Sequence, residues 1–331
     1  MRGLNKRNSI REYSTINKIS LSTAEFSNNK HTTLRPSTGA SPVPLWGLRE
    51  VENYYVSGFC DADSSFTVSV LKKSNMKIGW TVLARLIITL HKKDVDLLYR
   101  IQTCLGDVGT IKLRNNSDVV DFVVGSVGDL VNKVIPFFLK YPLITRKRAD
   151  FIIFNKIVEL IDQKEHLTLE GIQKIVNLKA SMNKGLTDAL KQAFPETKPI
   201  PRPVIDKSLC TINPWWLAGF IDGEGSFSVS IRKSSSHNTG YQVSLIFEIS
   251  QHLIDVELME NIVKYLQVGK LILRNSHPLV IYQVIRFSEI SENILPFLNK
   301  YPLLGGVPPK RLEFEDWAKA AELRLLKPKV I

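Results

Sequence analysis

Residues 54–66 read YYVSGFCDADSSF, and residues 215–227 read WWLAGFIDGEGSF. Gly58 matches Gly219, Asp61 matches Asp222, Asp63 matches Glu224 and Phe66 matches Phe227, each pair 161 positions apart. Further on, Gly109 and Gly269, Arg114-Asn115 and Arg274-Asn275, Pro136-Phe137 and Pro296-Phe297, and Tyr141-Pro142-Leu143 and Tyr301-Pro302-Leu303 stand 160 apart. A near-constant offset kept over about ninety residues marks an internal duplication. Two copies of this length are two domains rather than a solenoid of short repeats.

Both copies carry the same local pattern. A short apolar helix runs to the acidic pair, over Tyr54 to Asp63 and Trp215 to Glu224. The second has a start signal, Asn213 as N-cap followed by Pro214 at the first helical position. A strand of period two follows, in which Phe66, Val68 and Val70 face the core and Ser65, Thr67 and Ser69 face outward. Its counterpart is expected to bury Phe227, Val229 and Ile231 and to expose Ser226, Ser228, Ser230 and Arg232. A second strand (79–90; 241–250), an amphipathic helix (94–105; 255–266) and a hairpin (109–124; 269–287) come next. Helices near 128–140 and 146–164 close the first unit. The fold class is therefore α+β: two pseudo-symmetric αββαββα domains, each with helices on one face of an antiparallel sheet.

Domain bounds follow from composition. Residues 1–45 hold seven basic residues, seven serines and only two acids, Glu12 and Glu25. That suits a mitochondrial targeting segment, and equally a disordered leader left by fusion to an upstream reading frame. The first domain spans 46–183 and ends in an amphipathic helix over 168–183. Residues 184–213 contain Pro195, Pro199, Pro201 and Pro203 and read as a semi-rigid connector. The second domain spans 214–331.

Bulk properties narrow the function. The 331 residues, 44% of them apolar, suffice for two substantial cores. No apolar run reaches 18 residues, which argues against a membrane span. Cys60, Cys104 and Cys210 lie apart, without metal-site or disulfide spacing. The net charge of +12 suits a polyanionic partner, although charge alone fits a merely soluble basic protein or one bound to anionic lipid.

The glycines and acids point to chemistry. Glycine inside a helix costs about 1 kcal/mol against alanine. Gly58 and Gly219, at matching places, are expected to let the two helices touch. Their C-terminal ends then arrive together, each with the negative end of a helix dipole and two carboxylates. One such pair alone is an ordinary solvated helix end. Two that meet repel one another, and a hard divalent cation with oxygen ligands removes the conflict.

Leu217-Ala218-Gly219-Phe220-Ile221-Asp222-Gly223-Glu224-Gly225 resembles the signature of the LAGLIDADG homing endonucleases. Val56-Ser57-Gly58-Phe59-Cys60-Asp61-Ala62-Asp63-Ser64 resembles a looser copy. Supporting features are "KYPL" after "PFF" or "PFL", and "EHLTLEGIQKI" from Glu165; the likeness covers about residues 46–326. It implies saddle-shaped DNA-binding sheets. It also implies that Asp63 and Glu224, at the motif's eighth position, bind the divalent metal (Mg2+) and act in catalysis, while Asp61 and Asp222 hold the turn below. Lys147 and Lys310 match the family's catalytic lysine, though lone loop lysines are usually just solvated. Two departures stand out. Ser64 replaces the usual glycine, and Lys310 lies nine residues after Tyr301 where Lys147 lies six after Tyr141.

The expected activity is Mg2+-dependent cleavage of both DNA strands across the minor groove, by a monomer, at an asymmetric site of about two helical turns. The outer sheet faces are expected to contact that DNA through Ser65, Thr67, Ser69, Lys72, Arg85 and Arg114 in one half. In the other half the contacts are Ser226, Ser228, Ser230, Arg232 and Arg274. A plain solvated sheet face is the competing reading. The alternative function is an intron-RNA maturase with weak or lost nuclease activity; a non-catalytic DNA-binding regulator has no need of matched acids.

Overall fold

The computed structural model describes residues 45–206, 211–236, 239–274, 277–304 and 309–325, with residues 45–52 and 309 described in their backbone only. All of these lie in one body, residues 43–331. The leader, Cys210, Asn275, the glycines at 305–306 and Pro308 lie outside the described residues.

The first half begins with α1 (Leu45–Asp63), which passes straight into β1 (Ser64–Lys72) and then β2 (Trp80–His91). Helix α2 (Val95–Cys104), strands β3 (Thr110–Leu113) and β4 (Val119–Val124), helix α3 (127–140) and helix α4 (Lys147–Asp162) follow. The second half repeats this with α7 (Pro214–Glu224), β5 (Gly225–Lys233), β6 (Tyr241–His252), α8 (Val256–Leu266), β7 (Lys270–Arg274), β8 (Leu279–Val284), α9 (287–300) and α10 (Pro309–Leu325). Between them lie α5 (Leu169–Ala180) and α6 (Asp188–Ala193). Each half holds a four-stranded antiparallel sheet, ordered β1-β2-β4-β3 and β5-β6-β8-β7. The registers match as well, Ser64 opposite Ile88 and Gly225 opposite Ile249.

Helices α3 and α9 each contain a π-type turn, Leu130–Val134 and Ile290–Ile294, just ahead of Pro136 and Pro296. Proline lacks the N–H that an α-helix needs, so the wider turn carries the chain past it without a break.

Two cores form, one per half, and they interlock. Ala218 of α7 packs in the first core and Ile144 of the first half packs in the second. Phe66, Val68 and Val70 are buried as the alternation requires. Their counterparts differ from expectation: Phe227 is only half-buried, and Val229 and Ile231 are 47% and 67% exposed. The cause is cover. In the first half, Phe194 packs tilted on Trp80 at 4.9 Å, and it and Leu190 both lie in the core. In the second, the rings of Phe314 and Trp317 on α10 pack on Phe227, each at 5.3 Å, and the Trp317 indole donates to the Ser228 carbonyl, at the start of the strand rather than over Val229 and Ile231.

The expected connector is also corrected in part. Residues 184–213 are not all extended, because Thr187 caps α6 through its side chain and the helix docks Leu190 into the first core. The proline-rich stretch beyond is tied down by Arg202, whose guanidinium forks onto Asp150 at 2.8 and 2.9 Å.

Candidate active site

Helices α1 and α7 pack along each other through their glycines. A Cβ on Gly58 would lie 1.9 Å from the Trp216 carbonyl oxygen, and one on Gly219 would lie 2.0 Å from that of Tyr55. Any side chain larger than hydrogen would force these backbones apart. Contact continues to the C-terminal ends, where a Cβ on Gly223 would lie 2.2 Å from the Ala62 Cβ and 3.9 Å from the Asp63 nitrogen. The last residues of the two helices, Asp63 and Glu224, therefore meet at one place. Asp63 is exposed and Glu224 half-buried.

Below them, Asp61 and Asp222 are buried. Asp61 accepts from the Ile144 amide (2.8 Å), the Thr145 amide (3.2 Å), the Thr145 hydroxyl (2.6 Å) and the Trp216 indole of the other half (2.9 Å). Asp222 accepts from the Tyr55 hydroxyl at 2.6 Å, which in turn accepts from the Leu304 amide at 2.8 Å. Burial pushes both carboxyls above the usual range. These hydrogen bonds oppose the rise, and Asp222 reaches about 6.

The two lysines also reach the helix ends. Lys147 is half-buried, and its Nζ donates to the carbonyls of Cys60 (2.8 Å) and Ala62 (3.3 Å). Burial lowers its pKa, while the charges of Asp61, Asp63 and Glu224 among others hold it up. Lys310 donates instead to the Gly225 carbonyl, two residues beyond Gly223, the repeat mate of Ala62. The longer loop before Lys310 thus leaves it at the second helix end with a different acceptor.

Ser64, in place of the usual glycine, does not break the turn into β1. Helix α1 still runs to Asp63, and the Ser64 hydroxyl donates back to the Cys60 carbonyl at 2.7 Å. Gly225 tolerates no such side chain, since its Cβ would lie 2.5 Å from the Ile221 carbonyl oxygen.

Asp63 and Glu224 offer an all-oxygen donor set that suits a hard divalent cation. Among the described residues no group of three or more His, Cys, Asp or Glu side chains is placed to hold a metal.

The outer sheet faces carry the residues named from the sequence except Lys72, which ends β1 on the side of Phe66, Val68 and Val70. Ser65, Lys72, Arg85, Arg114, Ser226, Ser228, Arg232 and Arg274 are exposed, and Thr67, Ser69 and Ser230 half-buried. Arg114 forks onto Asp121 at 2.5 and 2.7 Å, which holds that carboxyl below its usual range. The Lys72 ammonium sits 5.8 Å from the Trp80 ring. Tyr55, Trp216 and Thr145 were not singled out from the sequence. The first two were legible as donors at matched repeat positions; Thr145 gave no signal.

A family model described as LAGLIDADG endonuclease matches residues 56–158 and, again, 217–321. This chain belongs to the LAGLIDADG endonuclease family. Its relatives include probable intron-encoded endonuclease 3 of Neurospora crassa, 40% identical over 269 residues, 81% of this chain and 50% of that protein. Probable intron-encoded endonuclease 2 of the same fungus is 34% identical, covering 82% of this chain and 59% of that protein. The chain thus spans only about half to three-fifths of these curated relatives. Among solved structures, the I-SmaMI LAGLIDADG homing endonuclease bound to cleaved DNA aligns with a TM-score of 0.78 at 42% identity, covering 82% of this chain and 89% of that one. The I-LtrWI LAGLIDADG homing endonuclease bound to target DNA gives 0.80 at 40% identity, covering 84% and 92%. No described helix of this LAGLIDADG chain is long and apolar enough to cross a membrane.

Proposed function

We propose that the chain is a monomeric homing endonuclease that hydrolyses both strands of one long, asymmetric DNA site, with Mg2+ held by Asp63 and Glu224. The observation that supports this reading is the close packing of α1 and α7 at Gly58, Gly219 and Gly223, which joins the helix ends that carry Asp63 and Glu224. When bound, the cation supplies a Lewis acid that activates water and offsets charge developing on the scissile phosphate. Asp63 and Glu224 orient it. Lys147 and Lys310, tethered to the helix-end carbonyls, present positive charge to the phosphate.

The two sheets hold the duplex. Serine and threonine hydroxyls on β1 and β5 and the arginines at 85, 114, 232 and 274 contact base edges and phosphates, and most affinity comes from the phosphates. Two unlike sheets on one chain read a non-palindromic site of about two helical turns. Intron-encoded relatives and the basic, serine-rich leader support a mitochondrial setting. Intron RNA, the other partner considered, is favoured by no separate feature, since Ser64 leaves helix α1 intact up to Asp63.

The test is Mg2+-dependent linearisation of a plasmid bearing a site selected from a randomised library by the wild-type chain. Linearisation that persists without divalent cation, or no cleavage of any selected site, contradicts the proposal.

A further inference from the structure

We propose that Asp255, in the second half, is a positioning residue for Lys147 of the first half, so that one strand's cut depends on a carboxylate from the opposite domain. The inference rests on the reading of Lys147 given above.

The first amides of a helix have no partner within it and must find one elsewhere. At the entry to α4, side chains take the amides of residues 144–147, and the next two, of Arg148 and Ala149, donate to the Thr145 and Arg146 carbonyls. The Ile144 and Thr145 amides donate to Asp61, the Arg146 amide donates to Asp255 Oδ1 at 2.8 Å, and the Lys147 amide donates to Thr145 Oγ1 at 3.1 Å. Arg146 is the N-cap residue of α4 and makes no side-chain cap of its own. Asp61 thus holds the turn that leads into α4, and Asp255, from the other half of the molecule, holds the amide of the N-cap residue itself.

Asp255 is fully buried, 109 residues away in sequence from the amide it holds. It precedes α8, yet among the described residues its side chain makes no capping bond to that helix. A buried carboxylate is costly unless bonded, and the positive end of the α4 dipole is a favourable place for one. Its dyad mate, 161 residues earlier, is Asp94, which senses the charge of Lys310.

The consequence concerns alignment. Lys147 reaches the helix-end carbonyls from the first residue of α4, so a shift of the 144–147 turn moves its ammonium directly. A displacement of about 1 Å at a reacting centre costs about a hundredfold in rate.

The test uses the full chain. Asp255→Ser is too short to reach the Arg146 amide, and Asp255→Asn keeps an acceptor there. Arg146→Pro deletes the same bond from the other side, at a φ of −50° that proline adopts. Hydrogen exchange in metal-free protein is read for residues 144–147. Cleavage is read for each strand separately on an end-labelled selected duplex, and Lys147→Ala identifies the strand served by that lysine.

Asp255→Ser and Arg146→Pro are expected to speed exchange in the turn about tenfold. Both slow the Lys147 strand about tenfold relative to the other, and Asp255→Asn stays near wild type on both readouts. Unchanged exchange, or equal slowing of both strands, overturns the inference. If Lys147→Ala biases neither strand, the reading of Lys147 falls and this inference with it. If Lys147→Ala biases one strand and the Asp255 and Arg146 variants do not, only this inference falls.

Discussion

The Trp216 indole donates to the Asp61 carboxylate at 2.9 Å, across the boundary between the two halves. Tyr55, which occupies the matching place in the first copy, returns the arrangement by donating to Asp222 at 2.6 Å. Each motif's buried acid is thus gripped by an aromatic donor from the other motif. This locks the helix pair in register and fixes the height at which Asp63 and Glu224 emerge.

Trp216→Phe keeps a six-membered ring in a buried site, gives up the smaller ring and removes the donor. Asp61 retains three other donors, so the expected loss is about 1–2 kcal/mol in chemical denaturation. Tyr55→Phe strands both Asp222 and the Leu304 amide, and its loss is expected to be larger, about 2–3 kcal/mol.

Gly219→Ala puts a Cβ against a backbone carbonyl, which cannot swing aside as a side-chain tip can. The helices must separate or bend. Overpacking of this kind is expected to cost about 3 kcal/mol in denaturant titration, with cleavage falling further than stability because the acids move apart.

Positions 64 and 225 are not interchangeable. Ser64→Gly removes only a short hydroxyl bond to Cys60 and is expected to change stability by about 1 kcal/mol or less. Gly225→Ser drives a Cβ into Ile221 and is expected to cost about 2–3 kcal/mol, read from thermal melts of both variants side by side.

Arg114 and Arg274 occupy matching places but differ in charge available to DNA. Arg114 is already forked onto Asp121. Arg274→Ala is therefore expected to reduce the salt dependence of DNA binding by about one phosphate contact, and Arg114→Ala by less. Equal slopes for the two variants count against this account of the sheet surface.

Much of the architecture was legible because the duplication repeats every signal. Alternation in β1, the Asn213-Pro214 helix start and the paired glycines each specify local geometry that tertiary contacts then keep. The burial of β5 was misread because alternation states which residues share a face, not whether anything covers it. Val229 and Ile231 share the inner face but lack the cover that Phe194 gives Trp80. Helix α6 was hidden among the prolines that follow it. Asp255 and Thr145 could not be read at all, because their roles arise from residues 109 and 84 positions away.

The central claim is that Asp63 and Glu224 act together at the joined helix ends. The most direct measurement is cleavage of a selected DNA site by Asp63→Asn and Glu224→Gln, with DNA affinity measured on the same samples. The account predicts that either change lowers double-strand cutting by about a thousandfold while affinity changes by about threefold or less. Cutting at near wild-type rate after loss of either carboxylate contradicts it.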